Sequence, residues 1–407
     1  MSQKSTLQHL VQIPVIVAAL GYLVDMYDLF LFSVVRVNSF KALGVSAEQL
    51  LPEGVFLLNT QLAGLLVGGV FWGILGDKKG RLSILFGSIL MYSLANIANG
   101  FVQTVEQYAF LRFIAGIGLA GELGAGITLV SEVLPKEIRG YGTTVVATMG
   151  LVGAIMANFV ADWFDWRVSY FVGGGMGLVL LVLRLNVFES GLFEKVKSQK
   201  VQKGNILMLF NNRRRFTKYL LSILIGIPLW FVTGVLMTFS PEFGKAVGLT
   251  EPIVAGKCVM FAFSGQIVGD IVSGLVSQYL KSRKKVMGLF ILLSFVFMLT
   301  YLLFPVKSVD SFYIICVLLG FCNGYWTIFI TIAAELFGTN LRATVATSVP
   351  NVVRGTAIIL TSAFVALKPS LGIINSAVVI GTVTVIIALA SLYFLEETFT
   401  KDLNYEE

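Results

Sequence analysis

Charge is scarce in this chain. Asp, Glu, Lys and Arg make up 13% of its 407 residues, half of the roughly 25% usual in soluble domains. That scarcity excludes an ordinary cytosolic enzyme and a disordered chain. Histidine is rarer still. The single His9 precedes the first apolar run, so neither a His-based metal site nor a Ser/His/Asp set can form, and no metal or cofactor is expected. Cys258, Cys316 and Cys322 lie in apolar runs with no CxxC pair and read as small core residues. The phosphate-cradling GxxxxGK loop is missing, so ATP does not drive the chain directly. No N-x-S/T sequon occurs, which with short outer loops suits a bacterial inner membrane better than an animal cell surface.

Apolar sequence fills the space that charge leaves. The chain is 56% hydrophobic, with a mean hydropathy of +0.85. A membrane helix needs roughly 20 apolar residues. Runs of that length predict spans at 11–36, 53–76, 82–102, 107–134, 142–164, 167–188, 219–242, 252–280, 286–304, 311–337, 343–367 and 371–395. The fold class is therefore all-α membrane protein with twelve spans. Span 1 is too long for a signal peptide and carries acids. A polar linker at 189–218 separates two six-helix halves, 1–188 and 219–407.

Basic residues are distributed unequally between the two sides. With the N-terminus inside, that side holds 20 Lys and Arg and the other, Arg36 included, holds 7; Arg112, Arg184 and Arg354 lie within spans. This asymmetry predicts both termini in the cytoplasm. It turns the net charge of +7 into a topology signal with no nucleic-acid partner. The run 213–215 reads as a loop facing solvent or lipid headgroups.

The halves repeat. Residues 132–144 read EVLPKEIRGYGTT and residues 335–347 read ELFGTNLRATVAT, each with a Glu (Glu132, Glu335) and an Arg seven positions on (Arg139, Arg342). GILGDKKGR at 73–81 has a degraded counterpart in GLVSQYLKSRKK at 274–285. Two parallel six-helix repeats form a transporter architecture with the substrate site near the midplane. Asp77, Arg81 and the repeated Glu and Arg residues are candidates for a cytoplasmic gate, with Glu132 meeting Arg342 and Glu335 meeting Arg139 across the halves. The alternative is anchoring within each half.

GILGDKKGRLSIL resembles the loop motif of the major facilitator superfamily. RFIAGIGLAGELGAGITLVSEVLPKEIRG (112–140) resembles the fourth helix of its sugar-porter and metabolite:proton symporter branches, and ESGLF (189–193) and LEETFTKDL (395–403) resemble their tails. The resemblance covers essentially the whole chain. It implies a secondary transporter, not an enzyme, that works as a monomer in the bilayer on a small solute.

Ionisable residues inside a membrane cost at least about 2.5–3.5 kcal/mol near a helix centre and mark function. At 1.5 Å per residue, Asp28 and Arg112 lie about 12 and 8 Å from the periplasmic side, and Asp25 and Glu122 about 17 and 22 Å. These depths predict an Asp28–Arg112 pair above an Asp25/Glu122 carboxylate pair. Asp25 and Asp28 share a helix face. Two close carboxylates in low dielectric cannot both ionise readily, which suits a group that loads and releases a proton. VDMYDLFLF (24–32) resembles the family's proton-coupling segment, with Asp28 at the matching position. A permanent structural ion pair is the alternative.

Arg354, in PNVVRGTAI (350–358), lies about 17 Å into span 11, and no acid of spans 7, 10 or 11 shares its depth. Asp270 in span 8 is the nearest in its half. A central guanidinium suits a carboxylate, and the Arg-Gly pair resembles the organic anion and organic cation transporters. Neutralisation by Asp25 or Glu122 is the alternative. Asn351, Trp230, Asn323, Trp326, Gln61 and Tyr22 complete the candidate substrate set.

The resulting expectation is proton-coupled symport of a carboxylate-bearing solute. The rivals are a sugar or polyol symporter, an exporter of the same fold, a non-transporting sensor and a phosphate symporter. DMYDLF also resembles the phosphate branch, but that branch follows its helix-4 acid with Tyr, whereas Leu123 follows Glu122.

Overall fold

The computed structural model describes residues 12–79, 81–122, 130, 134, 139–189, 206–304 and 308–399. Every regular element among them is helical: α1 Ile13–Ala42, α2 Leu50–Lys79, α3 Arg81–Asn99, α4 Val105–Leu119, α5 Arg139–Trp163 and α6 Trp166–Glu189 come first. After a 3-10 turn at Ile206–Leu209 follow α7 Arg213–Leu224, α8 Ile227–Phe231, a π-helical stretch Val232–Met237 and α9 Ser240–Ala246. Then come α10 Ala255–Leu280, α11 Arg283–Leu303, α12 Val309–Asn323, α13 Trp326–Glu335 and α14 Thr339–Phe394. Among the described residues, nine helices or helix runs are long and apolar enough to cross a membrane. α14 is two helices joined where Gly372 turns at φ 74°. The remaining predicted spans, 82–102 and 107–134, correspond to α3 and α4.

The chain folds into two compact units. One is Met1–Val45 with Thr60–Gln202, the other Ser46–Asn59 with Lys203–Glu407. The first part of α2 thus belongs to the second unit, where Thr361 Oγ1 donates to Asn59 Oδ1 at 2.6 Å and Asn59 Nδ2 to Ser362 Oγ at 3.1 Å.

Inside the units, the same backbone devices recur 204 residues apart. α1 ends where Gly44 adopts φ 78°, letting Val45 N–H reach Phe40 O at 2.9 Å. α9 ends where Gly248 adopts φ 88°, with Leu249 N–H on Gly244 O at 3.1 Å. Glycine allows this left-handed stop at no steric cost. Thr104 caps α4 by accepting from Gln107 N–H, and Ser308 caps α12 by accepting from Ser311 N–H. α4 and α12 are both 15 residues long.

Close helix packing is duplicated as well. A Cβ on Gly64 or Gly68 of α2 would strike the carbonyls of Phe113 and Ile117 on α4, and one on Gly265 or Gly269 of α10 those of Val317 and Phe321 on α12. Small residues four apart are how membrane helices approach in the absence of a hydrophobic drive.

Several boundaries differ from expectation. Span 1 runs on to Ala42, so Arg36, predicted in an outer loop, is fully buried inside α1. Span 7 breaks into α7, α8, the π stretch and α9 because Pro228 and Pro241 each lack the N–H that a continuous helix needs. Arg213, Arg214 and Arg215, predicted in a loop, form the first turn of α7 under an Asn212 cap. Span 10 breaks at Gly324–Tyr325.

Candidate functional site

In the first unit, α1, α3, α4 and α6 bury a polar centre. Arg112 of α4 donates Nη1 and Nη2 to Asp28 Oδ1 of α1 at 3.3 and 3.4 Å, and Nη2 also to Asn96 Oδ1 of α3. Its guanidinium lies 4.8 Å over the Tyr170 ring of α6. Tyr170 and Tyr108 join hydroxyls, and Tyr27 OH donates to Ser169 O at 2.8 Å. All of these side chains are fully buried, and Asp28 and Arg112 have no exposed surface. The depth arithmetic paired these two correctly.

A second ion pair lies beside the first. Arg184 of α6 grips Glu122 with both guanidinium nitrogens, Nη1 to Oε2 at 3.1 Å and Nη2 to Oε1. Gly21 on α1 makes room for it, since a Cβ there would collide with both groups. Gly21, Asp25 and Asp28 follow one another at four and three residues and so share a face of α1. Asp25, fully buried, stands between the two pairs, and Tyr92 of α3 lies in the field of Glu122, Arg184, Asp25 and Asp28. Glu122 thus has a cation as its direct partner, a contact absent from the expected Asp25/Glu122 carboxylate pair. Arg184 is the site residue that sequence reading left without a role.

The remaining first-unit candidates are buried. Tyr22 packs on Gly150 of α5. Gln61 of α2 is fully buried, and neither atom of its side-chain amide meets a hydrogen-bond partner among the described residues.

The second unit gathers its candidates where helices break. Asn323, last residue of α12, donates Nδ2 to Leu229 O of α8 at 3.4 Å and so joins the two interruptions. Trp230 and Trp326 are buried beside them, Trp326 tilted 5.4 Å from Phe329. Arg354 is buried on α14 with Asn351 a turn before it, and the side-chain oxygens of Asn323 and Asn351 meet no hydrogen-bond partner among the described residues. Asp270 accepts from Thr327 N–H at 3.1 Å and Thr327 Oγ1 at 2.7 Å. It therefore caps the interrupted start of α13, where a carboxylate is favoured by the helix dipole.

The two units differ in charge at equivalent positions. Val232 stands 204 residues after Asp28, Cys316 after Arg112, Trp326 after Glu122 and Ala388 after Arg184. The residues at these second-unit positions carry no charge, so the Asp28–Arg112 and Glu122–Arg184 pairs are not repeated there.

Of the predicted gate residues, Glu335 accepts from Arg283 Nη2 at 3.5 Å and Thr398 Oγ1 at 2.7 Å. Both of these partners lie in its own unit; the side chain of Arg139, its expected partner, lies outside the described residues. Arg342 donates to Phe337 O at 3.3 Å. The side chains of Asp77, Arg81 and Arg139, and Glu132 as a whole, lie outside the described residues.

Beside Glu335, Glu397 ties the tail to the start of α11. Its carboxylate accepts from Ser282 Oγ, Arg283 N–H at 2.9 Å, Lys284 N–H at 3.3 Å and Phe399 N–H at 3.1 Å. Burial pushes its pKa up, but these donors outweigh burial and hold it below the usual glutamate range. A depressed carboxylate adds stability above its unfolded pKa of about 4.3 and loses it as pH falls through the folded value. Glu397→Gln should therefore melt lower than wild type at pH 7, and the gap should close as pH drops below about 4. Thermal unfolding in detergent over that range checks it, and a gap that stays constant rejects it.

The geometry is that of buried polar clusters within apolar helices, and sequence comparison gives the chain a family. The family profile of the Major Facilitator Superfamily matches residues 18–362. The chain belongs to the major facilitator superfamily. It is a multi-pass membrane transporter, not an enzyme. It is 28% identical over 408 residues to the cis,cis-muconate transport protein of Acinetobacter baylyi, covering 96% of this chain and 95% of that protein. It is 25% identical over 340 residues to a probable 4-methylmuconolactone transporter of Cupriavidus pinatubonensis, covering 80% and 76%. The crystal structure of a D-xylose-proton symporter shares the fold at TM-score 0.71 and 16% identity, covering 95% of this transporter and 99% of that chain.

Proposed function

We propose that this transporter is a proton-coupled symporter of a small organic acid carrying a carboxylate, working by alternating access. The observation that carries the reading is the split of buried charge. Asp25, Asp28 and Glu122 are interleaved with Arg112 and Arg184 in the first unit, and Arg354 is buried in the second. Proton traffic falls to Asp28 and Arg112, with Asp25 and Glu122 as further acids. Arg354 is the anion anchor, because its fork matches a carboxylate. Asn351, Asn323, Trp230 and Trp326 of its own unit, and Gln61 and Tyr22 of the first unit, are the further substrate candidates, offering hydrogen bonds and aromatic faces. Relatives named for muconate and a muconolactone transport favour an organic acid over a sugar. Protons and solute are the only ligands of this scheme, the transporter acts as a monomer, and both termini face the cytoplasm.

The test is uptake by proteoliposomes of unsaturated and aromatic carboxylates under an inward proton gradient. Arg354→Ala should remove uptake. Arg354→Lys should weaken binding by about tenfold or more, since Lys keeps the charge but loses the fork. Wild-type affinity should rise from pH 8 to pH 5 as protonated acids favour the anion-bound state. Uptake of a neutral sugar that ignores both substitutions would reject the carboxylate reading.

A further inference from the structure

A cavity of about 480 Å³ opens in the second unit between the start of α7 and the ends of α13 and α14, lined by Arg213, Arg214, Lys218, Leu221, Phe394 and Glu396 among others. Three cations face one acid. The backbone of that turn is already satisfied, because the Asn212 side chain accepts from Arg214 and Arg215 N–H. Anion recognition is left to the side chains. Arg214 meets Glu396 at 3.4 Å, but the two side chains are 77% and 53% exposed, so this pair is worth little and can be exchanged. Lys218 Nζ donates to Leu336 O at 3.5 Å.

The depth of this mouth is marked by aromatics. Tyr393 and Phe394 are 79% and 72% exposed at the end of α14, and aromatic rings of this kind sit at headgroup level in membranes. Leu221, Leu336 and Leu395 line the same cavity below the cations. Cationic groups at the rim and apolar groups beneath them fit an amphiphile, and basic pockets between membrane helices take anionic headgroups.

We propose that this cavity binds an anionic phospholipid, with Arg213, Arg214 and Lys218 on the phosphodiester and Leu221, Leu336 and Phe394 against the upper acyl chain. A lipid with two phosphodiesters, such as cardiolipin, matches the excess of two positive charges best. The occupant comes from the bilayer, not from solution, because the apolar lining has nothing to offer a free inorganic anion.

The experiment uses the full-length protein, delipidated in mild detergent and titrated with cardiolipin, phosphatidylglycerol or phosphatidylcholine under native mass spectrometry. Cardiolipin should be retained most, phosphatidylglycerol less and phosphatidylcholine least. Arg213→Gln/Arg214→Gln should lower cardiolipin retention by roughly fivefold per charge removed. Glu396→Gln, an exposed change that spares the cations, should raise it and keeps the test open if the double variant folds poorly. Inorganic phosphate at millimolar concentration should leave the bound lipid in place. Equal retention of phosphatidylcholine, cardiolipin retention unchanged in both Arg213→Gln/Arg214→Gln and Glu396→Gln, or displacement of lipid by phosphate would each overturn the proposal.

Discussion

Arg184→Met will destabilise the first unit by about 3–5 kcal/mol, the cost of leaving one partner of a buried ion pair without the other. Glu122 is 1% exposed and Arg184 3%. Methionine keeps much of the volume but gives Glu122 no cation. The carboxylate must then take up a proton, or draw in water, which requires the helices to part around Gly21. Glu122→Gln should cost a similar amount by stranding Arg184. Glu122→Gln/Arg184→Met should recover most of the loss, because a neutral pair of similar size asks for no desolvated charge. Melting temperatures of the four proteins in detergent close the cycle. If both single variants melt like wild type, Glu122 does not depend on Arg184.

Asp28→Asn will abolish uphill accumulation while exchange across the membrane continues. With one proton carried per solute, a pH step of about one unit supports roughly tenfold accumulation. The substitution should bring that ratio to about one. Asparagine keeps the size of the side chain and can still accept from Arg112, but it neither gains nor loses a proton. The geometry supports survival of the fold, since Asn96 Oδ1 also holds the Arg112 guanidinium and Tyr170 covers it. Asp28→Glu, which restores the acid, should recover part of the accumulation in the same proteoliposomes. Accumulation by Asp28→Asn equal to wild type would make the pair a structural anchor.

Much of this architecture was legible in the sequence because a membrane simplifies the code. Spans follow from length and hydropathy, and the Asp28–Arg112 pair followed from a rise of 1.5 Å per residue along two helices. Arg184 was visible as an in-span charge, yet its partner was not. Depth along a helix says nothing about which face turns toward which neighbour, and here Gly21 decides that by clearing space. Asp270 was read only as the acid nearest to Arg354 in its half. Its capping of α13 depends on a break at Gly324–Tyr325 with no proline to announce it. Symmetry of spacing gave Glu335 only one candidate partner, Arg139, and did not announce Arg283 and Thr398, which reach it within its own unit.

The 204-residue register makes the transporter its own control. Helix stops at Gly44 and Gly248, caps at Thr104 and Ser308, and contact glycines at Gly116 and Gly320 are each present twice in one molecule. A substitution made at one copy can be read against the same substitution at the other, in the same sample and the same bilayer. Where both copies respond alike, the effect belongs to the scaffold. Where only the first copy responds, as Arg112 and its silent counterpart Cys316 should, the difference isolates what that half alone contributes.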